Sequence, residues 1–209
     1  VLWYTVSRKN KKGGYMPSSK IKTPRPYFSY RQFSIVERDP ELYREIYFGE
    51  GTQYDNEAME FGRGVHNAIA KREETGNVEI DHAKMVLPAY PKQHYDVKAK
   101  IPGGIILMGQ FDGFDPQKMI LVDYKTGMTK WTQKMVDGSD QLTFYAYICA
   151  MKYKKPLSAI KLHWYNREEK DVTTFQTTRS KIDMMRLHPR IQKAWNVVLE
   201  ISEEESKTQ

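Results

Sequence analysis

The feature that most constrains this chain is the stretch Gly109–Gly127, GQFDGFDPQKMILVDYKTG. It reads as two apolar-rich runs joined by a turn at Asp115-Pro116-Gln117-Lys118. Both runs carry charge where a strand is expected to bury apolar side chains: Asp112 in the first, Asp123 and Lys125 in the second. Residues two apart in a strand point to one face, so Asp123 and Lys125 project together, and a hairpin partner brings Asp112 beside them. Two carboxylates and an ammonium on one sheet face are costly as a structural device, because buried charge needs compensation. A bound divalent cation compensates the carboxylates, and the lysine can then hold or activate a water next to it. Read alone, a D-x-K triplet also fits a surface salt bridge in a structural or partner-binding protein.

The elements around this hairpin alternate between helix and strand. Short helices are expected over 28–37 and 40–48, the first capped by Ser29, the second by Asp39 with Pro40 at its first position. A long helix is expected over Asp55–Glu74, carrying His66 and ending at Gly76-Asn77. Its Gly62 and Gly64 are poor helix formers and make sense where another backbone or a substrate approaches closely. Met85–Pro88 and Tyr95–Ile101 read as strands, followed by Ile105–Phe114 and Met119–Lys125. Gly127 to Asp137 reads as a loop holding Trp131, Lys130 and Lys134. Asp140–Tyr153 reads as a helix with Gln141, Phe144, Tyr145 and Ile148 on one face. Strands Ala159–Tyr165 and Asp171–Gln176 follow, then a terminal helix Arg179–Glu200, bent or broken at Pro189. The expected division is a basic arm over 1–26, one domain over 27–202 and a frayed polar tail over 203–209.

Charge adds a second constraint. The net charge is +7, and no acidic residue precedes Glu37. Eight of the 33 basic residues lie in that segment, while the other 25 are balanced by 26 acidic ones. The excess is therefore N-terminal, which favours an anionic partner, nucleic acid first, over a purely solubilising tail. Aromatic residues between Tyr27 and Phe48 interleave with Arg31, Arg38 and Arg44. They fit either core packing or stacking on exposed bases. Cys149 is the only cysteine, which excludes an internal disulfide and a cysteine-ligated iron–sulfur cluster. No apolar run approaches the roughly 20 residues of a membrane span, so a cytoplasmic protein without a membrane partner is expected.

In order, the motifs are GRGVH with His66, GQFDGFD with Asp112, VDYKTG with Asp123-Tyr124-Lys125, and QLTFY with Gln141 and Tyr145. This set resembles the PD-(D/E)xK nuclease superfamily, and within it the RecB-type nucleases. The resemblance covers roughly residues 28–178 and implies an α/β fold, a central mixed β-sheet flanked by helices in a restriction-endonuclease-like core. It implies that His66, Asp112, Asp123 and the Tyr124 backbone carbonyl ligate one or two Mg²⁺ or Mn²⁺ ions, with no iron–sulfur cluster. Lys125, with Asp112 and Asp123, would form the catalytic set. Gln141 and Tyr145 would border the site and touch nucleic acid; apart from the resemblance, Arg31 among the N-terminal aromatics and Lys130 in the loop after Gly127 are the basic residues expected to contact it. The implied activity is a metal-dependent deoxyribonuclease, most readily an exonuclease on single strands or DNA ends in recombination, repair or phage DNA processing. The implied partners are DNA and a helicase or recombination protein; the alternative is an inactive nucleic-acid-binding module of the same fold.

Overall fold

The computed structural model describes residues 3–6, 19–49 and 56–208. In chain order the elements are β1 (Trp3–Val6), β2 (Ser19–Lys22), β3 (Phe28–Ser29), α1 (Tyr30–Arg38), α2 (Pro40–Tyr47), α3 (Glu57–Lys71), α4 (Val78–Val86), β4 (Lys92–Lys100), β5 (Ile106–Asp115), β6 (Ile120–Gly127), α5 (Gln133–Asp137), α6 (Asp140–Tyr153), β7 (Ala159–Asn166), β8 (Asp171–Thr177) and α7 (Lys181–Thr208). β1 and β2, both within the expected basic arm, pair antiparallel. The lysines and arginine of the arm at 8–12 lie outside the described residues. The other strands form one mixed sheet in the order β3-β5-β6-β7-β8, with β4 on β5. β6 and β7 are parallel, with antiparallel pairs β5–β6 and β7–β8 on either side. This is the α/β fold expected from the order of elements.

The chain divides into two compact units, one of Val1–Gln53, Lys100–Leu107 and His188–Gln209, the other of Tyr54–Ala99 and Met108–Leu187. In the first, the expected caps form. Ser29 and Gln32 make a reciprocal capping box, and Asp39 accepts from Leu42 N ahead of Pro40. Of the aromatics here, Phe28, Phe33 and Tyr43 are buried, with the Phe28 and Trp195 rings 5.1 Å apart, while Tyr27, Tyr30, Tyr47 and Phe48 are half-buried. Arg44 binds Glu204 and Glu205 at 2.6 and 2.9 Å, so the acidic segment expected to fray is helical. Pro189 lies inside α7 rather than ending it.

The second unit departs from expectation in three places. Met85–Pro88 is not a strand. Asn77 caps α4 by accepting from Glu79 N and Ile80 N, which starts a helix upstream of that run. Four apolar residues carry no decisive period, and α4 instead places Ala83 in a cluster with Leu87, Phe61, Val65, Ile69, Val122, Tyr124 and Tyr165. α3 ends earlier than expected, at Arg72 in the left-handed region (φ 61°). Finally, Thr132 caps a short helix, α5, inside the expected loop.

Candidate active site

The site is built on the β5–β6 hairpin. Its turn closes where the sequence predicts, with Asp115 Oδ1 accepting from Gln117 N and Lys118 N, both at 3.0 Å. The ladder then runs Asp115↔Ile120, Phe114↔Leu121, Gly113↔Val122. Beyond it the strand slips. Phe111 packs on Tyr145 and Phe114 on Tyr153, both from α6, although an odd spacing should put them on opposite faces. Asp112 sits at the slip, and its Oδ2 accepts from Tyr124 N at 2.8 Å, a side chain serving where a main-chain carbonyl would.

α3 brings in His66. The glycines before it let the helix come close: a Cβ on Gly64 would lie 2.6 Å from Ile80 Cδ1, and one on Gly62 would lie 3.2 Å from Thr126 Oγ1. His66 Nδ1 is then 3.0 Å from Asp112 Oδ1, and Nε2 is 3.2 Å from the Tyr124 carbonyl. Carboxylate and carbonyl both accept, so both ring nitrogens carry protons when these contacts are made together without a metal, and a metal would take the place of one of those protons. Burial disfavours that charge, but the Asp112 carboxylate outweighs it and the His66 pKa is raised. Burial likewise works against ionised Asp112, yet His66, Lys125 and the Tyr124 amide hold its pKa below the usual range.

Asp123 and Lys125 project together, as period two requires. Lys125 Nζ is 2.9 Å from Asp123 Oδ2 and donates to Gln141 Oε1 at 3.0 Å, while Gln141 Nε2 donates to Tyr145 Oη at 3.2 Å. Gln141 and Tyr145 thus fix the lysine. Asp123 is only 2 % exposed, and its Oδ2 is paired with the Lys125 ammonium. Burial raises its pKa, Lys125 opposes that, and the Asp112 charge adds to it. A buried carboxylate within reach of the Asp112 and His66 charges suits a divalent cation. Of the expected ligand set, His66 meets Asp112 and the Tyr124 carbonyl, while Asp123 stands outside the group of described side chains whose ligand atoms lie within 4.8 Å of one another.

Two other residues at the site carry no sequence signal. His94 on β4 joins His66 and Asp112 in the one group of three side chains, among the described residues, with ligand atoms all within 4.8 Å of one another. Arg179 Nε donates to Thr143 Oγ1 at 2.7 Å and its Nη2 donates to the Val136 carbonyl at 2.8 Å, tying down the connection that leads to Gln141. Lys130 is exposed just past β6, and Arg31 is exposed on α1.

A sequence profile of the PD-(D/E)XK nuclease superfamily matches residues 37–207, and the chain belongs to that family. No curated protein matches it. Among solved structures, a candidate exonuclease from Eubacterium rectale is similar at TM-score 0.63 and 12% identity, covering 86% of this chain and 82% of that one. A phage-related exonuclease from Haemophilus somnus 129PT follows at TM-score 0.53 and 11% identity, covering 82% of each chain. An alkaline exonuclease from Laribacter hongkongensis has TM-score 0.51 and 12% identity, covering 88% of this chain and 93% of that one. At these identities the likeness is one of fold. Among the described residues no helix is long and apolar enough to cross a membrane.

Proposed function

We propose that this chain is a metal-dependent deoxyribonuclease, acting in the cytoplasm as an exonuclease on single strands or DNA ends. The observation that carries the reading is the buried Asp123–Lys125 pair at 2.9 Å, within reach of the Asp112 and His66 charges. Family membership supports phosphodiester hydrolysis, and the three structural neighbours, each named as an exonuclease, support that mode among those open to the fold.

Asp112, Asp123, His66 and the Tyr124 carbonyl would hold the ion. When bound, a Mg²⁺ or Mn²⁺ ion supplies Lewis acidity and lowers the pKa of a bound water. The chain's own residues do the remainder. Tyr124 N keeps the Asp112 carboxylate turned toward β6. Lys125, steered by Gln141, is placed to orient the attacking water and to stabilise charge that develops on the phosphate oxygens. Tyr145 keeps Gln141 from rotating away, so the lysine meets the reacting group already oriented.

The test uses linear and closed circular DNA with Mn²⁺ or with EDTA. Linear substrate should be degraded only with metal, and Lys125→Ala should lower the rate by about 10²–10³-fold with the fold retained. A variant that cleaves at the wild-type rate would remove Lys125 from the chemistry. Cutting of the closed circle would exclude a strict exonuclease.

A further inference from the structure

We propose that His94 is an additional metal ligand, and that the face formed by His66, His94 and Asp112 makes this site select Mn²⁺ and later first-row divalent ions over Mg²⁺. The proposal rests on the metal-dependent reading above and concerns which ion is taken.

Three observations converge on His94. One ligand atom from each of His66, His94 and Asp112 lies within 4.8 Å of the others, and the two imidazole rings are 6.0 Å apart. Ligands of one ion at about 2.1 Å sit about 3 Å apart when cis and about 4 Å when trans, so small side-chain rotations close this set on a cation. The second observation is backbone conformation. His94 has φ 44°, inside strand β4. Among the described residues, the other non-glycine residues with positive φ are Arg72 and Lys154 at helix ends and Met119 and Lys170 in turns, where such values relieve a chain reversal. No reversal exists at His94, and holding a residue with a β-carbon there strains the backbone.

The third observation is strand parity. Val97 and Ala99 are buried while Asp96, Lys98 and Lys100 are exposed, so regular alternation would send His94 outward with the even positions. Instead it is half-buried against His66. The distorted backbone has one evident product, an imidazole turned toward His66 and Asp112.

Donor chemistry then sets the preference. Mg²⁺ favours oxygen ligands and keeps much of its water. Two imidazoles and a carboxylate on one face are a donor set for Mn²⁺, Fe²⁺ and Co²⁺, whose affinity for nitrogen exceeds that of Mg²⁺.

Calorimetric titration of the full chain with Mn²⁺ and with Mg²⁺, without DNA, tests this, using wild type, His94→Asn and Asp112→Asn. Asparagine tolerates positive φ, so the first variant removes the imidazole while keeping the backbone. Wild type should bind Mn²⁺ at least about tenfold tighter than Mg²⁺. His94→Asn should weaken Mn²⁺ by about 10–100-fold and Mg²⁺ by less than about threefold. Spin-echo modulation from ¹⁴N on bound Mn²⁺ should drop from two imidazole nitrogens to one. If His94→Asn binds Mn²⁺ like wild type while Asp112→Asn does not bind, His94 is no ligand and the metal site stands without it. If wild type binds neither ion, the metal-dependent reading falls together with this one.

Discussion

His66 and His163 share a neighbour and differ in almost everything else. Their rings lie 6.1 and 5.9 Å from the ring of Tyr124. His66 faces acceptors on both nitrogens, the Asp112 carboxylate and the Tyr124 carbonyl. His163 faces hydroxyls, Tyr90 Oη at 3.0 Å and Thr174 Oγ1 at 2.8 Å. A hydroxyl can donate or accept, so a neutral ring is satisfied beside two of them, whereas two fixed acceptors call for a cation. The pKa values diverge accordingly. Burial, helped by the Lys161 charge, brings His163 down to about 4, while Asp112 raises His66 against its own burial. One residue type, within reach of one aromatic ring, is made a packing group in one place and a cation partner in the other by its second neighbours alone.

The sharpest test exchanges each for glutamine. His66→Gln should lower metal-dependent cleavage by about 100-fold or more, the scale of losing a metal ligand or its orientation. His163→Gln should leave the rate within about threefold and lower stability by about 1–3 kcal/mol, because it disturbs two buried hydroxyl contacts. Rates and urea midpoints of the two variants would decide. Equal losses of activity would show that the two regions act as one.

Acid titration gives a smaller effect of opposite sign at the two sites. His163 has a folded pKa depressed to about 4 from the ordinary imidazole value of about 6.5. As pH falls through that window the unfolded chain takes the proton first. The neutral ring therefore contributes stability that is whole above about 6.5 and lost toward about 4, up to about 3 kcal/mol. For His66 the folded pKa is raised, so its contribution is whole below the unfolded value and lost as pH rises through the folded one. Urea unfolding at pH 7 and pH 5 should show a flatter loss in His163→Gln than in wild type. An unchanged slope would mean that the carboxylates alone govern acid unfolding.

Much of the site is written in local spacing. Asp123 and Lys125 share a face because strands repeat every two residues, and Asp115 announces its turn through side-chain acceptance from the two amides that follow. Gln141 and Tyr145 meet because helices bring residues four apart together. Their placement on Lys125, however, depends on the crossover from β6 through α6 to parallel β7, which spacing does not encode. His94 was illegible because its position depends on one distorted backbone angle inside a regular-looking strand. Arg179 was illegible because its partners, Val136 and Thr143, are distant in sequence. The same limit explains α4: a four-residue apolar run has no period, and only the capping by Asn77 and the packing of Ala83 decide for helix.

The smallest predicted effect probes how His66, but not His163, depends on a helix that comes close to its neighbours. A β-carbon at Gly64 would lie 2.6 Å from Ile80 Cδ1, too near to be tolerated unchanged. That atom is the tip of a partly buried, rotatable side chain, so Ile80 can swing aside rather than force the backbones apart. Gly64→Ala also gains about 1 kcal/mol of helix propensity, which offsets the repacking of Ile80. Net stability should therefore move by less than about 1 kcal/mol. Any residual shift of α3 is felt two residues later, at the 3.0 Å contact between His66 and Asp112. Metal dependence should consequently weaken by about two- to fivefold in Gly64→Ala, with the acid limb of the stability curve, set by His163, unchanged. A variant with lost stability and unaltered metal dependence would show that Gly64 serves α3–α4 packing alone and that the metal-facing position of His66 is set by its own contacts.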